Sequence, residues 1–401
     1  MLSNEFISVP YGCTVHGEDE IAAVVAVLRT STQMGKHVRE MEQKIADIFA
    51  KKVGIMVNSG SSANYLATEI LQLPAGSEVI TPALTFATTV APLVKNNLIP
   101  AFVDVEIDTF NIDVDHIESM ITPKTKAMLI PSLIGNLPDW KRLRDIADQH
   151  KLILIEDSAD TLGATVDGLP VGRHSDISTT SFYGSHVINC AGNGGMLCVN
   201  DLELAERAKL LRSWGRSSSL FVESEAIENR FNVQVDGIPY DAKFVFGTVG
   251  YNLEPSEMGA AFGLVQLGKL ENNIQLREKY FKEHLSFFSQ FPEWFILPRQ
   301  FPNSRTGWLA FAIIVRDEAP FTRTQMQIFL EKRRIQTRTV LTGNILRQPG
   351  FIHIERKEAS AGYPNADQVM RGGILLGCHH GMNARMMGHI HDSFLEFIKA
   401  F

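Results

Sequence analysis

Two carboxylates and a histidine occupy positions where a folded chain must compensate them chemically. Asp157 ends the apolar run Ile153-Leu-Ile-Glu-Asp157, and Asp160 follows in Asp157-Ser-Ala-Asp160-Thr-Leu-Gly163. The run reads as a buried strand. A carboxylate at the end of such a strand is costly to desolvate without a partner, so a cationic ligand group is expected against Asp157. The second stretch is Ile177-Ser-Thr-Thr-Ser181-Phe-Tyr-Gly-Ser-His186, a β-branched run that enters an aromatic and then His186. The glycine-rich turn Gly192-Asn-Gly-Gly195 comes next. Imidazole shuttles protons near neutral pH. Strand ends that bring Asp157 and His186 into one crevice place them where an open α/β sheet puts its active site.

Two further stretches belong with these. Ser59-Gly-Ser-Ser-Ala63 joins a strand to the start of a helix. Its glycine permits close backbone approach, its hydroxyls donate, and a helix N-terminus favours an anion. An ordinary capping turn has the same composition. Phe86, in Pro82-Ala-Leu-Thr-Phe-Ala-Thr, opens a helix after a strand, and a core aromatic is the commoner explanation for such a residue.

The positioning elements follow from periodicity. Apolar spacing predicts helices over 18–30 and 38–50, then a strand over 53–57 and a helix to Leu73. Strands over 78–81, 101–105, 127–132 and 152–155 alternate with helices over 86–96, 114–120 and 139–149, which is the pattern of βαβ units and a mostly parallel sheet. The strands are near-continuous apolar runs, as a sheet covered on both faces requires. A helix past Asp201 carries Leu204, Ala208 and Leu211; the polar, poorly periodic segment 213–247 then reads as a long surface excursion. One long helix over 255–283 is expected to link two domains. Beyond it lie a strand (309–315), two helices (324–333, 383–398) and loops, an α+β arrangement. The division is a lead-in over 1–20, a large α/β domain over 21–255, and the linking helix with a smaller domain over 256–401.

Composition bounds the function. The 401 residues are 45% hydrophobic and 21% charged, with a formal net charge of −7, as in a globular protein without a nucleic-acid surface. No apolar run reaches membrane-spanning length, and the first residues lack the layout of a signal peptide. Four widely spaced cysteines (Cys13, Cys190, Cys198, Cys378) suit free thiols in a reducing cytoplasm.

The pattern E-D-x-A-x-x-x-G-A, followed by S-F-x-x-x-x and G-G, resembles the fold-type I, pyridoxal-phosphate-dependent sugar aminotransferases of the DegT/DnrJ/EryC1/StrS family, over about residues 15 to 395. The resemblance implies an aspartate aminotransferase-like fold with a mostly parallel central sheet and a smaller α+β C-terminal domain. It places the cofactor phosphate at Gly60, Ser61, Ser62 and Ser181, a ring-stacking role on Phe86, the ring nitrogen against Asp157, and the ring face near Asp160. Gly250-Tyr-Asn-Leu253 resembles a family element whose asparagine, here Asn252, reaches the cofactor phosphate of a neighbouring subunit. A homodimer with shared active sites follows from the resemblance alone.

One position departs from the aminotransferases. Where they carry the Schiff-base lysine, this chain carries His186, which cannot form an imine with an aldehyde. A His in this slot after Ser-Phe-Tyr is similar to the pyridoxamine-phosphate-dependent 3-dehydratases of nucleotide-linked 4-keto-6-deoxyhexoses, with L-glutamate as amino donor. The segment from Thr337-Arg338 to Thr-Gly-Asn344 resembles a signature of that branch and makes Arg338 and Asn344 candidates for substrate contact. In the cluster-bearing members cysteines follow a Trp-Gly-Arg motif; here Trp214-Gly-Arg216 precedes Ser217, Ser218 and Ser219. Serine is a poor ligand for an iron–sulfur cluster. No cluster and no metal are expected, as in the GDP-4-keto-6-deoxymannose 3-dehydratase type. Two other readings are an aminotransferase using another lysine, such as Lys243, and an inactive nucleotide-sugar binder. Glu254, where aminotransferases often have Arg, and one extra residue between His186 and Gly194 are further departures.

Overall fold

The computed structural model describes residues 7–221 and 226–401. Its central sheet has seven strands in the spatial order Val53–Val57, Gly195–Val199, Ile177–Ser181, Ile153–Asp157, Thr125–Pro131, Glu78–Pro82 and Ile99–Val103. Five of them, from Ile177–Ser181 to Ile99–Val103, run parallel. Gly195–Val199 runs antiparallel to both of its neighbours. The parallel strands are mostly apolar, with Ile177–Ser181 built instead mainly from Ser and Thr, and they are buried almost throughout because helices cover both faces.

The register aligns the ends that matter. Pro131 lies opposite Asp157 and Asp157 opposite Thr179, so the carboxyl ends of three strands reach the same level. Helices Gly60–Glu69 and Ala87–Lys95 approach that level by their N-termini. Ser59 caps the first, its hydroxyl oxygen accepting the N–H of Ser62 at 3.1 Å.

A smaller three-stranded sheet, Phe295–Ile296, Ala310–Val315 and Gly373–Gly377, is antiparallel and carries an aromatic core of its own, with Phe281, Phe288, Trp308, Phe311 and Phe394 buried. Helices Arg323–Lys332 and Ala384–Ile398 flank it.

Three expectations change. The single helix over 255–283 is two helices, Glu257–Leu267 and Leu270–Phe288. The break falls at Gly268, a poor helix former, and at Lys269, whose Nζ reaches Glu20 Oε1 at 2.5 Å. The stretch over 114–120 forms two 3-10 turns, not an α-helix. The excursion is partly ordered: it contains the turn Ser217–Leu220, the short helix Ile227–Arg230 and the hairpin Val233–Val235/Ile238–Tyr240. The stretch before Gly194 turns with Ala191 at φ 56° and Gly192 at φ 110°. Among the described residues no helix is long and apolar enough to cross a membrane.

Candidate active site

A cavity of about 520 Å³ opens at the carboxyl ends of the parallel strands, the crevice in which open α/β sheets bind ligands. Asp157 forms part of its wall. Its Oδ2 accepts from Asn64 Nδ2 at 2.7 Å and from Thr89 Oγ1 at 3.0 Å, and Oδ1 accepts the N–H of Ala159 at 3.2 Å. Asn64 is held in turn by Thr179, whose hydroxyl donates to its Oδ1 at 2.6 Å. Burial raises the Asp157 pKa, and the donations from Asn64, Ala159 and Thr89 oppose that rise. A cationic group in the cavity would complete the compensation.

His186 follows Ser181 at the end of its strand. Its Nδ1 lies 3.2 Å from the carbonyl of Ser181. A carbonyl can only accept, so Nδ1 carries the proton and Nε2 presents a lone pair. Nε2 is 3.9 Å from Asp160 Oδ1. Burial is the main cause that lowers the imidazole to about 4, and the Arg277 charge adds to it. Burial also raises Asp160 to about 7; the N–H of Ile134 donates to it at 2.9 Å, and Asp157 is near. At neutral pH the pair is therefore a neutral base beside a carboxyl close to its midpoint.

The opposite end of the cavity is a cradle. Ser59, Gly60 and Ser61 line it at the helix N-terminus. A Cβ on Gly60 would sit 2.5 Å from Ser181 Cβ, so only glycine permits this approach. Phe86 lines the cavity and is 53% exposed, which removes it from the core and leaves its ring face to a ligand. Ser132 lines the same space, and its buried hydroxyl has no hydrogen-bond partner among the described residues. An anion site at a helix start, a carboxylate wanting a cation, a free aromatic face and an orphaned hydroxyl fit a phosphorylated pyridine ring.

Seven residues picked out from the sequence therefore share one cavity: Gly60, Ser61, Phe86, Asp157, Asp160, Ser181 and His186. Four do not line it. The Ser62 hydroxyl donates to Asn58 Oδ1 at 2.6 Å and serves the capping turn. Asn252 is exposed, its Oδ1 accepting from the N–H of Glu254. Arg338 lies behind Tyr11, its guanidinium carbon 5.5 Å from the ring of that cavity residue. Asn344 is a brace: it is buried, accepts the N–H of Leu346 and donates to Asp367 at 2.8 Å. Lys243 is not a lining residue, and among the described residues no lysine lines the cavity.

Sequence reasoning missed Asn64, Thr89, Tyr11 and Ser132. Asn64 carried a signal, since it lies four residues after Gly60 on a helix and repeats the polar face at Thr68.

The sequence and the fold are both similar to those of known proteins. The chain is 35% identical to dTDP-4-dehydro-2,6-dideoxy-D-glucose 3-dehydratase of Saccharopolyspora spinosa, over 97% of this chain and 86% of that one. It superposes with a TM-score of 0.88 on GDP-4-keto-6-deoxy-D-mannose-3-dehydratase of E. coli with bound hydrated PLP, at 27% identity, covering 97% of this chain and 100% of that one. A GDP-4-keto-6-deoxymannose-3-dehydratase with a trapped PLP-glutamate geminal diamine matches with a TM-score of 0.86, at 27% identity over 96% and 99% of the two chains. The model of the DegT/DnrJ/EryC1/StrS aminotransferase family matches residues 15–395, and with that match the cavity has its lineage: the chain belongs to this family.

Proposed function

We propose that this chain is a 3-dehydratase of nucleotide-linked 4-keto-6-deoxyhexoses that works with pyridoxal and pyridoxamine phosphate and takes its amino group from L-glutamate. The carrying observation is the cavity itself, which His186 lines and which no lysine lines among the described residues; the reading gives His186 the place that the Schiff-base lysine has in an aminotransferase. When bound, the cofactor supplies an amine for the C4 ketone and a ring that accepts electrons. Ser59, Gly60, Ser61 and Ser181 hold its phosphate, and Phe86 covers the ring. Asp157, fixed by Asn64 and Thr89, faces the ring nitrogen and keeps it protonated. His186 Nε2 would take the proton from the C4′ carbon and hand it to the departing C3 hydroxyl, which would leave as water. Positioned general-base work of this kind is worth on the order of 10²–10⁴ in rate.

Asn252 lines no part of its own cavity, and the segment before it exposes Phe244, Phe246, Val249 and Tyr251. A homodimer in which Asn252 completes the partner's phosphate site accounts for both features.

The test is purified protein with pyridoxal phosphate, followed by absorbance before and after L-glutamate with a borohydride trap alongside. Loss of the aldehyde band without covalent cofactor, and release of a 3-deoxy product from a 4-keto-6-deoxy nucleotide sugar, is the expected result. A cofactor–lysine adduct would make the chain an aminotransferase. A protein that binds no cofactor would leave only a nucleotide-sugar binder.

A further inference from the structure

Arg277, in the helix Leu270–Phe288, is fully buried, and the chemistry above gives it no task. All five of its N–H groups are used. Nη2 donates to the carbonyls of Ser185 and His186, each at 3.0 Å. Nη1 donates to the carbonyls of Trp308 at 2.8 Å and Leu309 at 3.3 Å. Nε donates to His380 Nδ1 at 3.2 Å. Among the described residues none of these acceptors is a carboxylate. A buried cation whose hydrogen bonds all go to neutral acceptors is an expensive device unless its place does something. Its place is between two walls of the cavity, since Ser185, His186 and Leu309 all line it. One turn further along the helix, Phe281 stacks on Trp308 with ring centroids 3.7 Å apart, so the second wall is fixed from the same helix.

We propose that Arg277 is the positioning residue of the base: it clamps the main chain of Ser185–His186 to Trp308–Leu309, so that the imidazole is held at a fixed place in the cavity. The inference rests on the function proposed above. The guanidinium fork suits this task because it is planar and spans carbonyls on two segments at once, which an ammonium does not. Its charge has a second effect. Facing His186 are Asp160 and Asp157 from one segment, Tyr183 from its own loop and Arg277 from the helix; facing Arg277 are Asp160, Tyr11, His379, His380 and Cys378. Burial and then Arg277 favour the neutral imidazole, and burial lowers Arg277 only to about 10, so it stays charged at working pH.

The experiment compares Arg277→Lys and Arg277→Gln with the parent, all loaded with pyridoxal phosphate. It reads thermal unfolding, the rate of the glutamate half-reaction, and the His186 titration by NMR of the protein without cofactor. Both variants should remain folded and slow the half-reaction by about 10²-fold, the scale of a misplacement near 1 Å. In Arg277→Gln the His186 midpoint should rise by roughly one pH unit, while Arg277→Lys, which keeps the charge, leaves it in place. A rate that falls only in step with folded protein, with an unmoved His186 midpoint, overturns the proposal. If Arg277→Gln does not fold, Arg277→Lys decides by itself: a folded variant with parental rate removes the clamp. A parent that is inert toward glutamate refutes the proposed half-reaction, and the His186 titration still judges the role of Arg277.

Discussion

His186 owes its character to its surroundings more than to its type. The Ser181 carbonyl fixes the proton on Nδ1, and burial keeps the ring neutral to about pH 4. His186→Ala should abolish proton exchange at the cofactor's C4′ carbon while leaving cofactor affinity within a few-fold, because the phosphate and ring contacts lie on other residues. Exchange monitored in deuterated buffer checks this, and parental exchange by the variant would refute the assignment. His186→Lys should restore a covalent cofactor adduct that borohydride traps. The pH dependence follows from the same numbers. In the proposed reaction the neutral imidazole acts as the base, and burial lowers its midpoint from 6.5 to about 4, so the base would be lost only as pH falls through about 4. The half-reaction should therefore hold its rate at pH 5, where a free imidazole is mostly protonated. A limb near 6.5 in the rate profile would contradict it. At this scale the sequence brought to one cavity Asp157, which ends a strand, and Gly60, which begins a helix. It was a poor guide for Asn344, whose partner Asp367 is a tertiary neighbour that no local pattern announces.

Elements position these residues by where they stop. The strands Thr125–Pro131, Ile153–Asp157 and Ile177–Ser181 were legible because doubly covered strands are written as apolar or β-branched runs. The strand Phe295–Ile296 was not, since pairing with Ala310–Val315 creates it and two residues are too brief to declare a period. The helix Gly60–Glu69 has little freedom at its start. Its first residue passes so close to Ser181 that an added Cβ would meet Cβ at 2.5 Å and Cα at 3.2 Å. Gly60→Ala must push the helix start away from the strand end, and overpacking of this kind costs about 1–3 kcal/mol. The cradle opens with it, so pyridoxal phosphate should bind at least about tenfold more weakly, which corresponds to about 1.4 kcal/mol. Fluorescence titration against the parent tests it. Unchanged affinity would mean that the phosphate is held elsewhere.

At the scale of the whole molecule, seven of the residues chosen for one site line the cavity and four do not, and of those four Asn252 lies exposed beside a run of exposed apolar residues. The exposed apolar residues before Asn252, with Val249 at 89% exposure, are too costly to leave in water as a patch and suit a surface covered by a second copy. A two-fold axis would then place each Asn252 at its partner's helix N-terminus, and each subunit would be both a provider and a recipient. That arrangement has a consequence a self-contained monomer lacks. His186→Ala and Asn252→Ala each disable every site in their own homodimers. Mixed and allowed to exchange subunits, they form heterodimers in which one site carries both lesions and the other carries neither. With random exchange, about a quarter of the sites regain the parental constellation, and activity should return to about that fraction. Val249→Asp, which places a charge in the covered patch, should prevent both the exchange and the recovery, and sedimentation should show it as a monomer. Recovery in the first mixture and none in the second identifies Asn252 as the partner's residue. No recovery in either mixture means that Asn252 acts only within its own subunit, where its Oδ1 already accepts from Glu254.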